Sequence, residues 1–118
     1  MATRPIERVI QESAYQVFRW SGLAAGDVGE PLNQGYQFAE RTIQVLGTLD
    51  GATVAIEGSF DGVTWAPLSD PQGNALSGIN SLRIEAVQDV PRLLRPALTG
   101  GGASTSVTVY LGGRRTIR

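Results

Sequence analysis

Four stretches of this chain alternate between apolar and polar side chains, and this two-residue period constrains the fold more than any other feature. The stretches span residues 41–49, 51–60, 81–87 and 104–113. Alternation of this kind, with many β-branched residues, is typical of antiparallel strands that bury one face. A fifth stretch, residues 14–20, has apolar side chains on both faces, which predicts a strand covered on both sides.

The alternation also predicts which side chains point into the core. In chain order, the apolar sets are Ile43, Val45, Gly47 and Leu49; Ala52, Val54, Ile56 and Phe60; Leu82, Ile84 and Ala86; and Val107, Val109 and Leu111. Successive side chains of a strand point to opposite faces, so the polar neighbours, such as Arg83 and Glu85, are expected to face solvent.

Two Asp-Gly pairs, at residues 50–51 and 61–62, separate segments with strand character. A short Asp-Gly link between alternating segments is a strong signal for a β-hairpin, because both residues tolerate a positive φ. We therefore predict a three-stranded meander over residues 41–66. The glycine-rich segment 99–104 predicts another hairpin tip before the last strand.

Residues 70–76 predict a tight turn in which Gly73 tolerates a positive φ. Residues 89–98 predict a short edge strand, because Pro91 and Pro96 lack the backbone N–H that a central strand needs on both sides. Seven or eight short strands with frequent turns predict an all-β fold, an antiparallel β-sandwich or a jelly roll.

The 118 residues correspond to one domain. We predict an N-terminal arm over residues 1–13 and a sandwich over residues 14–118, with a long irregular loop at 21–38 and a short tail at 114–118. The loop is richer in apolar residues than a solvated linker would be. We therefore expect it to pack either on its own sandwich or on a neighbouring subunit.

The composition argues against catalysis. The chain has no histidine and no cysteine, and therefore lacks the commonest general base and any thiolate nucleophile or metal ligand. We expect a protein that is not an enzyme and carries no cofactor. A net charge of −1 does not favour nucleic acid as a partner. No stretch approaches the roughly 20 apolar residues of a membrane span, and no N-terminal run has the length of a signal peptide, so we expect synthesis in a cytoplasm.

The segment EGSFDGVTWAPLSD, residues 57–70, admits two interpretations. In the first, which we favour, Asp61 and Gly62 form a turn and Trp65 is a core anchor, since tryptophan dominates small cores. In the second, an exposed Trp65 stacks on a sugar. Several oxygen-bearing side chains could also supply calcium ligands, although none has the spacing of a dedicated loop. They are Asp50, Asp61, Asp70, Asn74 and Asp89.

Several motifs resemble those of small β-sandwich structural proteins that tailed bacteriophages encode near their head genes. The motifs are a G-S-x-D-G-x-T-W turn at 58–65, a D-P-x-G-N-A turn at 70–75, a P-R-x-[LI]-R-P segment at 91–96 and a final strand at 107–115 that ends in Arg-Arg. The first turn also resembles one in carbohydrate-binding sandwiches. Phe60 stands where Asn is usual, and phenylalanine cannot brace a turn with its side chain, which disfavours sugar binding.

The resemblance implies a head decoration, or cement, protein that binds the outer surface of the capsid and clamps subunits of the major capsid protein. We expect a homo-oligomer, most simply a trimer, located on the virion. The arm, the long loop and the tail are expected to make the contacts. The residues selected are Arg4, Ile6, Arg8, Leu23, Leu32, Tyr36, Arg114, Arg115 and Arg118. The alternatives are a carbohydrate-binding module and a small tail or neck component.

Overall fold

The computed structural model describes residues 2–12, 14–33 and 40–114, and its regular elements are all β-strands. In chain order they are β1 (Thr3–Arg4), β2 (Ile6–Gln11), β3 (Tyr15–Leu23), β4 (Val28–Gly29), β5 (Leu32–Asn33), β6 (Glu40–Thr48), β7 (Thr53–Ser59), β8 (Ala66–Pro67), β9 (Arg83–Val87), β10 (Leu93–Thr99) and β11 (Ser106–Arg114). Sheet A has the order β1-β4-β10-β7-β8, with β5 also paired to β10. Sheet B has the order β2-β3-β11-β6-β9. The predicted all-β sandwich is confirmed.

The core lies between the two sheets and is built from the alternation that the sequence shows. Sheet B contributes Phe18, Trp20, Ile43, Val45, Val107, Val109 and Leu111, and sheet A contributes Val54, Ile56, Leu94 and Leu98. All of these side chains are at most 5% exposed. The inward faces predicted for β7 and β11 are therefore confirmed within the strands themselves. In β6 the prediction is confirmed for Ile43 and Val45, whereas Gly47 is exposed.

The Asp50-Gly51 turn does not close a hairpin. Its local geometry is as expected, with φ angles of 47° and 82° and a hydrogen bond of 2.9 Å from Ala52 N to Leu49 O. However, β6 is already paired along both edges, with β11 and β9, so the chain crosses to sheet A, where β7 pairs with β10 and β8. The predicted meander over 41–66 is wrong in its first half, because β6 and β7 do not pair. Its second half is present as the antiparallel pair of β7 and β8.

The glycine-rich segment 99–104 also crosses between the sheets, since β10 belongs to sheet A and β11 to sheet B. The predicted hairpin tip is therefore wrong. Two hydrogen bonds fasten this crossing to the neighbouring one: Ser104 N donates to Asp50 Oδ2 at 3.0 Å, and Thr105 Oγ1 donates to Leu49 O at 3.0 Å. The two crossings thus close the same end of the sandwich.

Strand β10 is central in sheet A, contrary to the prediction of an edge strand. Its proline is tolerated because of what lies beside it. Leu98 N donates to Asp27 O in the β4 region, and Pro96, two residues earlier, faces the same side. On that side of β10, the neighbouring segment of the same chain is interrupted between β4 and β5. No hydrogen bond between strands is therefore lost at Pro96.

The segment expected to be an arm takes part in both sheets. β1 pairs in parallel with β4, and β2 pairs antiparallel with β3. Asp27, which is 3% exposed, fastens this segment by accepting hydrogen bonds from Ala2 N at 3.0 Å, Ala24 N at 2.9 Å and Arg4 Nε at 2.7 Å. Burial alone would raise the pKa of Asp27, but these hydrogen bonds outweigh it and lower the pKa.

The segment expected to be one irregular loop, 21–38, is largely structured where it is described. Residues 21–23 complete β3, and the short strands β4 and β5 follow. Leu23 is fully buried and Leu32 is 9% exposed, so this segment packs on its own sandwich, the first of the two possibilities considered. Residues 34–38 lie outside the described residues.

Strand β9 turns Ile84 and Ala86 outward and only Val87 into the core, which reverses the prediction for Ile84 and Ala86. Its register with β6 sets Glu85 opposite Ile43, which is in the core, and sets Ile84 opposite Gln44, which is exposed. Ile84 is consequently 62% exposed and Leu82, just before the strand, 64% exposed. A pairing register places every side chain of a strand, because the side-chain period is two. Across the parts of the chain that are described, no helix is long and apolar enough to cross a membrane.

Candidate functional site

Large apolar side chains with high exposure form two groups in this structure. The side chains are Val9, Ile10, Tyr15, Phe60, Val63, Leu82, Ile84 and Val90. Single exposed apolar residues are common on protein surfaces, whereas contiguous groups indicate interaction sites. One group lies on sheet B. The other lies at the end of the sandwich where β7 ends and β10 begins, and consists of Phe60, Val63 and Val90; we call it the apolar tip.

The tip is built on a turn that its own side chains brace. Strand β7 ends at Ser59, whose Oγ donates to Asp61 Oδ1 at 2.9 Å and accepts from Gly62 N at 2.9 Å. The same Asp61 oxygen accepts hydrogen bonds of 2.8 Å from the backbone N–H groups of Val63 and Thr64. Gly62 adopts a φ of 78°, which other residues reach only with strain. The Ser-x-Asp-Gly sequence therefore forms a rigid turn.

This turn exposes the apolar residues that flank its Asp-Gly pair. Phe60 is 76% exposed and Val63 is 81% exposed. The prediction that Phe60 continues the inward face of β7 is wrong, because the hydrogen bonds of Ser59 turn the chain before another inward position is reached. Arg92 Nε donates to Phe60 O at 3.1 Å and so ties the turn to the start of β10.

A shallow apolar groove of about 640 Å³ adjoins the tip. Phe60 and Val90 line this groove, together with Pro67, Leu68 and Pro91. Gly58 lies under the groove, and any side chain there would overlap Pro91 and Leu68. The groove is therefore a packed, preformed surface that could receive an apolar side chain of a partner.

Trp65 is not the core anchor that the sequence suggested. It is only half-buried and lies outside the core, on the outer face of sheet A. The Arg95 guanidinium covers its ring at 4.1 Å from the centroid, and Arg95 Nε donates to Glu57 Oε1 at 3.1 Å. The anchor is Trp20, which is fully buried and donates from Nε1 to Glu30 O at 2.9 Å.

The acidic side chains considered as calcium ligands accept hydrogen bonds from turns and from a neighbouring segment. Asp61 holds the tip, Asp70 accepts from Gln72 N at 3.0 Å and Asn74 N at 2.9 Å, and Asp89 accepts from Ser69 N and Oγ at 2.7 Å. Among residues 2–12, 14–33 and 40–114, no group of three or more His, Cys, Asp or Glu side chains could hold a metal ion. The predicted turn at 70–76 is present, with Gly73 at a φ of 88°.

We expect the apolar tip to lose its bracing at low pH. The pKa of Asp61 is lowered from 3.8 to about 2. The largest causes are the backbone hydrogen bonds from Thr64 and Val63, followed by the side-chain hydrogen bond from Ser59. A carboxylate whose pKa is lowered by folding stabilises the fold fully above its unfolded pKa, and this contribution is lost as the pH falls from about 4 to about 2. A ¹³C NMR titration of the Asp61 carboxyl checks this. A midpoint near 3.8 would contradict the bracing.

Of the residues predicted to contact a partner, those that the structure describes are scattered. Leu23 and Leu32 lie in the core and Ile6 is partly buried against it, so they offer little contact surface. Arg4 is paired with Asp27, Arg8 lies 5.6 Å from the centroid of the Phe18 ring, and Arg114 is paired with Glu40 at 2.8 Å.

The described residues of this set do not form one site. Ile6 lies opposite Trp20, and Arg114 lies opposite Tyr15. Trp20 and Tyr15 are about 16 Å apart along β3, at about 3.3 Å per residue. Tyr36, Arg115 and Arg118 lie outside the described residues. The sequence reasoning missed the tip. Its signal was the pair of apolar residues, Phe60 and Val63, on either side of an Asp-Gly turn.

Comparison with known proteins gives a fold relationship. The crystal structure of the SPBc2 prophage-derived protein YomS matches this chain with a TM-score of 0.61 and 13% sequence identity, over 89% of this chain and 98% of YomS. At this identity the likeness establishes a shared fold. No family model matches the chain, and no curated protein matches it.

Proposed function

We propose that this protein is a structural component of a bacteriophage virion that binds the outer surface of the head and stabilises contacts between major capsid protein subunits. The observation that carries the proposal is the apolar tip, in which a braced turn holds Phe60 and Val63 in solvent. The fold shared with a prophage-derived protein supports a phage origin. The decoration motifs in the sequence support a place on the head.

The tip is suited to docking because its shape exists before a partner arrives. Exposed aromatic anchors beside preformed grooves are typical of the residues that dominate protein interfaces. A braced turn loses little conformational entropy on binding, so more of the burial energy appears as affinity. Repeated around a symmetric shell, modest contacts of this kind add up, and pressure from packaged DNA must then break all of them.

The alternative of a carbohydrate-binding module needs an exposed tryptophan beside open polar groups. Trp20 is buried, and one side of Trp65 is covered by Arg95. An absence of histidine and cysteine from the whole sequence also favours a binding role over catalysis. We therefore place head binding ahead of sugar binding and of an enzymatic activity.

Co-sedimentation with expanded phage heads that lack this protein tests the proposal. We expect saturable binding at a fixed molar ratio to the major capsid protein, and the ratio gives the copy number. Failure of the folded protein to co-sediment would overturn the proposal, and binding to purified tails instead would favour the tail or neck alternative. Circular dichroism of the unbound fraction confirms that the protein is folded.

A further inference from the structure

We propose that the outer face of sheet B is the interface between two copies of this chain. The face is the side of sheet B that points away from the core. Its side chains line up in rows that cross the strands, since each residue has a defined partner in the next strand. This inference is independent of head binding and concerns the isolated protein.

The middle row of this face has no charged residue on any of the five strands. It runs from β2 to β9 through Ile10, Val17, Gly112, Thr42 and Ala86. Ile10 is 41% exposed. The solvent-facing side of an antiparallel sheet is normally polar, so an uncharged row across all five strands favours contact with a partner.

Aromatic and aliphatic side chains extend this row on both sides. Tyr15 leans over Gly112, where a Cβ atom would lie 2.8 Å from its hydroxyl oxygen. In the next row, Tyr110 and Ile84 flank Gln44. Tyr15, Ile84 and Tyr110 line one shallow groove of about 180 Å³. The centre of the face therefore carries uncharged side chains, several of them aromatic or aliphatic.

Strand β9 supports the view that this face is covered. Its register turns Ile84 outward, at 62% exposure, while Glu85 faces inward at the edge of the core. Exposing the apolar side of a strand costs free energy unless something covers it. Strand β3 also indicates that the face is covered. Its sequence predicts a strand covered on both faces, whereas Tyr15 is 41% exposed in the single chain.

The charges on the face indicate that the cover is a second copy. Two ion pairs lie beside the middle row: Arg19 Nε with Glu7 at 3.1 Å, and Arg114 Nη2 with Glu40 at 2.8 Å. A two-fold contact sets a patch against itself, so uncompensated charge would repel its own copy. These charges balance, which suits self-association and gives an oppositely charged partner no advantage.

The face is also large enough. Five strands about 4.8 Å apart, with lengths of about 16 to 30 Å, offer about 400 to 700 Å² on each copy. Two copies would bury about 800 to 1,400 Å² together, and the upper end of this range reaches the roughly 1,200 to 2,000 Å² of specific interfaces. Sheets packed face to face are a common arrangement. A face that contacts the same face of another copy pairs with that one copy, so this contact makes a dimer rather than the trimer expected from the sequence.

Sedimentation velocity on the full chain tests the inference. At about 100 μM we expect twice the monomer mass of 12.5 kDa. Ile84→Glu places an unpaired charge on the face. Because Ile84 is exposed, the variant should fold, and the dissociation constant of its dimer should rise by about 100-fold or more. Ala86→Glu, in the middle row, should behave in the same way.

Val63→Glu is the matched control, because it adds the same charge at the apolar tip and should leave the dimer unchanged. A wild-type chain that stays monomeric or sediments as a trimer would overturn the inference. So would folded Ile84→Glu and Ala86→Glu proteins that dimerise as the wild type does. Since no heads are present, these outcomes are separate from the outcome of the head-binding test.

Discussion

Replacing Phe60 and Val63 together by alanine is expected to weaken binding to phage heads by about 30-fold or more. Burying a phenylalanine or valine side chain stabilises a contact by about 1.5 to 3 kcal/mol, part of which remains with alanine. Losing about 2 to 4 kcal/mol in total corresponds to about 30- to 1,000-fold in affinity. A co-sedimentation titration against heads measures this change.

The fold should survive this double substitution. Both side chains are more than three-quarters exposed, and the hydrogen bonds that brace the turn come from Ser59, Asp61 and backbone groups. Exposed substitutions of this kind usually change stability by less than about 0.5 kcal/mol. Val9→Ala is a matched control, since Val9 is 42% exposed and lies outside the tip. Wild-type affinity in the double variant would remove the tip from the proposed head-binding site.

Replacing Trp20 by alanine is expected to lower the free energy of unfolding by about 3 to 5 kcal/mol. Small domains have stabilities of about 5 to 15 kcal/mol, so the loss is a large share of the total. Trp20 is fully buried, hydrogen bonds to Glu30 O, and packs so closely on Gly29 that any side chain there would overlap its ring. Urea unfolding followed by circular dichroism measures the loss.

Trp65→Ala provides the comparison, because the same side chain is removed outside the core. It loses partial burial and the contact with Arg95, and a cation–π contact at a partly exposed site stabilises by about 0.5 to 1 kcal/mol. We therefore expect a clearly smaller loss than for Trp20. Equal losses in the two variants would contradict the assignment of Trp20 as the anchor of the core.

Local signals predicted the site only in part. The Asp61-Gly62 turn could be anticipated, because aspartate and glycine favour such turns whatever surrounds them. The exposure of Phe60 could not, since alternation along β7 predicted an inward side chain. The outcome depended on Ser59, whose hydroxyl bonds to the turn instead of extending the strand. The groove beside the tip required Val90 and Pro91, which approach from a distant segment.

By itself, the sequence determined that the chain forms a β-sandwich, which strands are amphipathic and where the tight turns fall. Strand amphipathicity and turn positions depend on neighbours within a few residues. Only the tertiary structure decided which sheet each strand joins, whether Ile84 faces in or out, and which tryptophan is buried. The physical reason is that pairing partners lie far apart in the chain. A turn such as Asp50-Gly51 reverses direction in the same way whether the next strand pairs beside it or crosses to the opposite sheet.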